Sequence, residues 1–171
     1  MPVEILIVVL ILIAVIAILL FISLPKLLYA KEDIKVTYVN LDAILKERWT
    51  LIPKYIEAVK PYSANGLGIL EEIILLRNTT FENMKFMKKV ETDRELNNRI
   101  IEMDLKIREY VELRDDEKLN DILSTYDKLG KDLEEAKLVY NASIDKLNKL
   151  TSRFPTNLVA LVAGFAKVKK L

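Results

Sequence analysis

The chain has 171 residues, with 26 Lys and Arg against 25 Asp and Glu, and contains neither His nor Cys. Those two absences exclude disulfides, thiolate chemistry, zinc sites built on Cys or His, and every His-based catalytic triad. The near-zero net charge gives no electrostatic footprint for nucleic acid, and four Gly and five Pro leave little material for phosphate-cradling loops or all-β turns.

The first element is the run from Ile5 to Leu24, in which Ser23 is the one polar side chain and no residue is charged. Ile5, Leu10, Val15, Leu20 and Leu24 mark its length. As a helix it reaches ~30 Å, about one bilayer core, and a helix apolar all round does not suit the surface of a small soluble domain. A secretory leader needs a basic start, a shorter apolar core and a small-x-small cleavage site. Here only Met1 to Glu4 precede the run, Glu4 is acidic, and Leu28-Tyr29-Ala30 is a poor cleavage site. The run is therefore read as a retained transmembrane anchor. Lys26, Lys31 and Lys35 follow it and no Lys or Arg precedes it, which by the positive-inside rule places the N-terminus outside and the remainder in the cytoplasm. Pro25 is expected to kink the helix as it leaves the lipid.

Beyond the anchor, apolar residues recur at alternating steps of three and four. Ile34, Tyr38, Leu41 and Leu45 continue a helix to about Thr50. Thr50 as a cap and Pro53 in a first turn suggest a new start, with Ile52, Ile56 and Val59 as its stripe. Pro61, Asn65, Gly66 and Gly68 then interrupt. Leu67 to Leu76 is strongly apolar, so Leu67, Leu70 and Ile74 are candidates for an interface. Phe81, Met84 and Met87 suggest a helix to about Val90. Leu96, Ile100, Met103, Ile107 and Tyr110 form a further stripe, with charges on the other faces.

Arg114-Asp115-Asp116-Glu117 reads as a turn, with Asp115 or Asp116 capping the next helix. That helix carries the clearest pattern in the chain. Leu119, Tyr126, Leu133, Tyr140, Leu147 and Phe154 stand seven apart, and Ile122, Leu129, Ala136, Ser143 and Leu150 fill the second seam position. Ser143 is its polar lapse, and Gly130 inside it weakens the helix by ~1 kcal/mol relative to Ala. Tyr140 on a seam position is expected in the core with its hydroxyl at the edge. Asn141 either bridges helices or is solvated. Acid clusters such as Glu134-Glu135 do not share a helix face and read as solvated surface, not as a metal site.

Phe154-Pro155-Thr156-Asn157 breaks this helix. Leu158 to Ala166 is uncharged and, at ~14 Å, too short to span a bilayer. Lys167, Lys169 and Lys170 follow. Leu158, Leu161 and Phe165 are candidate interface residues, and the segment docks on its own bundle, packs on a neighbouring subunit, or lies in the lipid interface. The chain thus divides into a stub (1–4), a span (5–24), a helical bundle (25–154) and a short apolar helix with a basic tail (155–171).

Several of these strings resemble one family. Arg48, Leu51, Ile52 and Pro53 lead into Val59, Lys60 and Tyr62. Arg77 follows Leu70-Glu71-Glu72. Tyr140-Asn141 comes much later, then Phe154, Pro155, Asn157 and Gly164. In this order, behind an anchor, they resemble the LemA family over about Asn40 to Arg77 and Lys137 to Phe165. The chain departs from the family pattern at Glu47, where an Arg is usual, at Asn65-Gly66 in place of His-Glu, and at Arg114-Asp115-Asp116 in place of an aromatic-Pro element. No role of the His-Glu pair carries over.

The resemblance implies an all-α fold, a transmembrane helix followed by an antiparallel bundle of long helices. It implies no catalytic activity and no cofactor; relatives are linked to envelope stress, membrane proteases and the organisation of membranes. The expected function is a non-enzymatic, membrane-anchored scaffold that self-associates into a homo-oligomer or organises membrane proteins or membrane shape, with lipid as one partner. The alternative is an adaptor or substrate-delivery subunit for a membrane protease or envelope-stress machinery. Arg48 is expected either to meet lipid phosphate or a partner's carboxylate, or to close a salt bridge at a helix end.

Overall fold

The structure is a computed structural model and describes residues 2–61, 67–78, 81–108 and 116–171. It is all-α, with no strand among the described residues. The helices are α1 (Val3–Val59), α2 (Leu67–Arg77), α3 (Phe86–Ile107), α4 (Glu117–Leu150) and α5 (Thr156–Val162), with a 3-10 turn at Phe81–Asn83. Tyr62, Asn65, Gly66, Tyr110, Arg114 and Asp115 lie outside the described residues, as does the side chain of Leu67.

The expected break near Thr50 is absent, because α1 runs through both Pro25 and Pro53. Leu41, Leu45, Arg48, Ile52, Tyr55 and Val59 are all buried, and they step by four and three without a slip. One seam therefore crosses Pro53, and packing on both sides of it offsets the hydrogen bond that the proline cannot donate, a loss of ~3 kcal/mol in an unsupported helix. Thr50 is not a cap: its hydroxyl donates back to the Glu47 carbonyl at 2.7 Å. Tyr55, not Ile56, takes the core position in this register.

Phe81 to Val90 is also rearranged. Phe81 is buried in the 3-10 turn, and α3 begins only at Phe86 with Met87 exposed. From there Leu96, Ile100, Met103 and Ile107 are buried as their spacing predicts. α4 begins as expected: Asp116 Oδ1 accepts the Leu119 N–H at 2.9 Å, an N-cap to the third helical residue. Its seam changes step at Ser143, where Ile144 is buried instead and the serine hydroxyl turns back to the Val139 carbonyl.

The chain forms two compact units, Asn40–Ala136, and Met1–Val39 with Lys137–Leu171. Their boundaries fall inside α1 and α4, not at the breaks that divide the sequence. In the first of these units α1 and α3 run parallel, since Asp42 pairs with Lys89, and Arg48 meets Asp93 and Asn97 further along. α2 packs against α3 in the opposite sense, with Phe81 beside Lys89 and Glu72 paired to Arg99. In the other unit α4 runs back along α1, with Lys146 paired to Asp33 and Tyr140 facing Tyr38. The small core there consists of Leu27 and Ala30 from α1, Leu147 from α4, and Val159 and Ala160 from α5.

Candidate functional site: the C-terminal helix, its tail and a buried arginine

The unit built from the chain's two ends holds the first feature. α4 stops at Leu150, and the Phe154–Pro155 peptide is cis. α5 follows, with the Asn157 side chain accepting the Leu158 N–H. Its end has a specific cause. Gly164 has φ +73°, the Phe165 N–H donates to the Ala160 carbonyl, and the Gly164 N–H donates to the Leu161 carbonyl. This is a Schellman cap, in which the residue after the helix must be left-handed and is therefore best a glycine. The hydrophobic side of the motif is supplied by Phe165, which packs against the small core that holds Ala160.

α5 is two-faced. Val159 and Ala160 are buried against Leu27, Ala30 and Leu147, with Leu19, Leu24, Ile34 and Leu150 packed around them. On the other side Leu161 is 80% exposed and Val162 83%, with Leu158 and Phe154 also exposed. The interface candidates therefore separate. Leu158 and Leu161 face outward, whereas Phe165 is half-buried in its own unit with the Lys31 ammonium 5.8 Å from its ring centre. Among the other candidates, Leu70 is buried, so it belongs to the core of its own unit and is out of reach of a second chain, while Ile74 is half-buried.

The tail beyond Gly164 is held by two asparagines. Asn148 accepts from the Val168 N–H at 2.9 Å and donates to the Val168 carbonyl at 2.8 Å. Asn141 accepts from the Leu171 N–H at 3.0 Å and donates to the Leu171 carbonyl at 3.4 Å. The two asparagines stand seven residues apart on α4, ~10.5 Å along the axis. Val168 and Leu171 stand three apart, ~10 Å of extended chain. Helix and tail are thus in register, running in opposite directions, and Lys170 pairs with Asp145 between the two clamps. Asn141 is one of the family-like residues; Asn148 was not singled out by sequence, although its seven-residue offset places it on the same face.

Tyr140, beside the Asn141 clamp, is buried, and burial pushes its phenol upward, with Tyr38 adding to the effect. Further along, α1 carries Ile5, Leu10, Val15 and Leu20 exposed, and Leu24 half-buried beneath α5. It is the one helix among the described residues long and apolar enough to cross a membrane.

The second feature lies in the unit Asn40–Ala136. Arg48 is 2% exposed. Its Nε donates to Asp93 at 2.7 Å, Nη2 to the Asn97 side chain at 3.0 Å, and Nη1 to the Tyr126 backbone carbonyl at 2.8 Å. The guanidinium also stacks 3.8 Å from the Tyr126 ring centre. Arg48 is enclosed within its own unit, and the salt bridge it makes is with Asp93 across two helices, inside the unit and not at a helix end. It is a core side chain whose charge is met on every edge, the condition under which burying it is tolerable. Gly130 makes the room: a Cβ there would stand 2.8 Å from Arg48 Nη1.

The remaining family-like residues support this core. Ile52 and Val59 are buried, Leu51 and Pro53 are half-buried, and Lys60 is exposed. Arg77 lies 4.7 Å over the Trp49 ring, on the wall of a cleft of about 350 Å³ shared with Lys46, Thr50, Asn78, Phe81 and Glu82. Two buried hydroxyls, Tyr55 and Tyr126, have no hydrogen-bond partner among the described residues, and burial pushes both phenols above the usual tyrosine range. Among the described residues no three carboxylates gather in a way that holds a metal ion.

The class defined by this architecture is an all-α helical bundle carrying one long, lipid-compatible N-terminal helix. The family model for the LemA family matches residues 37–171, most of the chain, and the protein belongs to that family. The match starts beyond the apolar run, which rests on its own physical argument. Comparison with curated proteins finds no match.

Proposed function

We propose that this protein is a non-enzymatic scaffold, anchored in a membrane by residues 5–24, that self-associates and organises membrane proteins or membrane shape. The observation that carries this reading is the surface of α1. Nearly every large apolar side chain from Val3 to Phe21 is exposed, a state that is stable in lipid and unstable in water. The polar groups elsewhere are spent on internal order: Arg48 is fully engaged within its unit, and Asn141 and Asn148 hold backbone. Clustered anchors act together through multivalency, which suits a scaffold. The lysines that follow the span, Lys26, Lys31 and Lys35, favour a cytoplasmic bundle.

The test is the mass of the full chain extracted in mild detergent, measured by light scattering on a size-exclusion column. A defined particle containing several copies supports the scaffold. A clean monomer at micromolar concentration overturns self-association.

A further inference from the structure

We infer that α5 is a second membrane contact: it lies along the bilayer interface beside the point where α1 emerges, with Phe154, Leu158, Leu161 and Val162 in the lipid. The inference rests on the anchoring of α1 and adds a surface to it.

Three observations carry it. The first is level. The inner face of α5 packs on Leu27 and Ala30, with Leu19 and Leu24 beside them. Leu19 and Leu24 belong to the apolar run itself, so α5 is docked on the last turns of the span. The second is continuity. The exposed apolar surface of α1 does not end at Leu24, because Leu28 and Tyr29 are exposed as well. From Ile5 to Tyr29 the helix covers ~37 Å, more than a ~30 Å hydrocarbon core, which places Pro25 to Tyr29 among the headgroups of one leaflet. A tyrosine suits that depth. The outward apolar residues of α5 stand at this same level and continue the band sideways.

The third is charge. Asp33 is paired with Lys146, Asp145 with Lys170, and Glu32 with Lys35. Lys26 next to Leu27, Arg153 just before α5, and Lys167 and Lys169 just after it are exposed, a supply of positive charge for anionic headgroups. A short helix with an apolar face and a basic edge sinks ~5–10 Å into the headgroup and acyl boundary. At seven residues α5 has the length to lie along that boundary and not to cross it.

The chain has no cysteine, so single cysteines report cleanly. The full-length protein is reconstituted into vesicles of phosphatidylcholine and phosphatidylglycerol after labelling Leu161→Cys, and separately Val162→Cys, with an environment-sensitive fluorophore. Both positions are outward-facing, so the labels leave the fold intact. Leu138→Cys, exposed on α4, and Val9→Cys, inside the span, serve as references. The expected result is strong quenching at Leu161 and Val162 by lipids carrying a spin label near the headgroup, and little at Leu138.

A label at Leu161 quenched by aqueous iodide as readily as at Leu138 overturns the inference, because the face is then in water. A label shielded from both quenchers also overturns it, since protein then covers the face. Val9 separates the two levels of the argument. Quenching at Val9 by lipids labelled deep in the acyl chain, without quenching at Leu161, removes the interfacial helix and keeps the anchor. Absence of quenching at Val9 removes the anchor itself.

Discussion

Arg48 and Gly130 depend on each other across two helices. Taken alone, Gly130→Ala should strengthen α4 by ~1 kcal/mol. With Arg48 Nη1 2.8 Å from the new methyl, and held by Asp93, Asn97 and the Tyr126 carbonyl, the guanidinium has nowhere to go. Gly130→Ala is expected to destabilise the protein by about 1 kcal/mol, the usual scale of overpacking. In an Arg48→Met background the same substitution is expected to stabilise. Denaturant titration of the four variants checks the reversal, and a loss in both backgrounds defeats the explanation. A signal for Arg48 was legible but not used, since it falls on the seam of Leu41, Leu45, Ile52 and Val59, which the expected break near Thr50 had divided. The need for glycine at 130 was not, because it arises from a side chain on another helix.

The buried phenols supply a pH dependence. Tyr55 is raised first by burial and then by the Asp104 carboxylate, and Tyr126 by burial and then by Asp93, partly offset by Arg48. An unfolded tyrosine ionises near ~10 while these remain protonated in the fold, so above that pH the unfolded chain binds fewer protons. Stability is therefore full below pH ~10 and declines as the pH rises further. Tyr55→Phe should shallow that decline, and at neutral pH it should be neutral or stabilising by up to about 1 kcal/mol, since the hydroxyl it removes is buried and has no partner among the described residues. Unfolding midpoints at neutral and alkaline pH test both statements.

At the scale of elements, the clearest lesson is where periodicity informs and where it misleads. The seven-residue spacing located α4, the cap at Asp116 located its start, and the stripe from Leu96 to Ile107 located most of α3. Proline misled. Pro53 sits where a helix start would be plausible, yet a seam of six buried residues carries α1 across it, because tertiary packing outweighs one missing hydrogen bond. The end of α5 was not read from the sequence, where Leu158 to Ala166 passes through Gly164 as one uncharged segment; the left-handed glycine stops the helix at Val162. Gly164→Ala forces a left-handed residue and should cost about 1 kcal/mol in thermal or denaturant unfolding. The same change at Gly68, where nothing stands within 4 Å of a new Cβ and φ is ordinary, should be stabilising, by up to about 1 kcal/mol. Equal effects at the two glycines would remove the role given to the Schellman cap. Asn148→Ala should release the tail, read as faster amide hydrogen exchange at Val168.

For the molecule as a whole, the all-α class and the family were legible in the sequence, the first from composition and spacing, the second from motifs spread over both ends of the chain. The association of the ends was not. Residues 1–39 and 137–171 form one unit, and no local pattern announces that Leu27 will meet Val159. The proposed anchoring by a twenty-residue run with one polar side chain predicts a distinctive extraction behaviour. The full chain should stay with membranes through high salt and an alkaline carbonate wash and should leave only with detergent, because the free energy is hydrophobic and not ionic. Recovery in the carbonate supernatant would remove the anchor.

The asparagine clamps have a consequence for how this chain tolerates change over generations. They grip the backbone at Val168 and Leu171 and ask nothing of the side chains. Substitutions at Lys167 or Lys169 can accumulate without loosening the grip, proline at 168 excepted, because it removes the amide that Asn148 reads. Length is another matter. One residue inserted between 168 and 171 adds ~3.3 Å to a span matched to two helical turns, and both clamps can no longer close together. The grip on this tail therefore depends on counting more than on spelling.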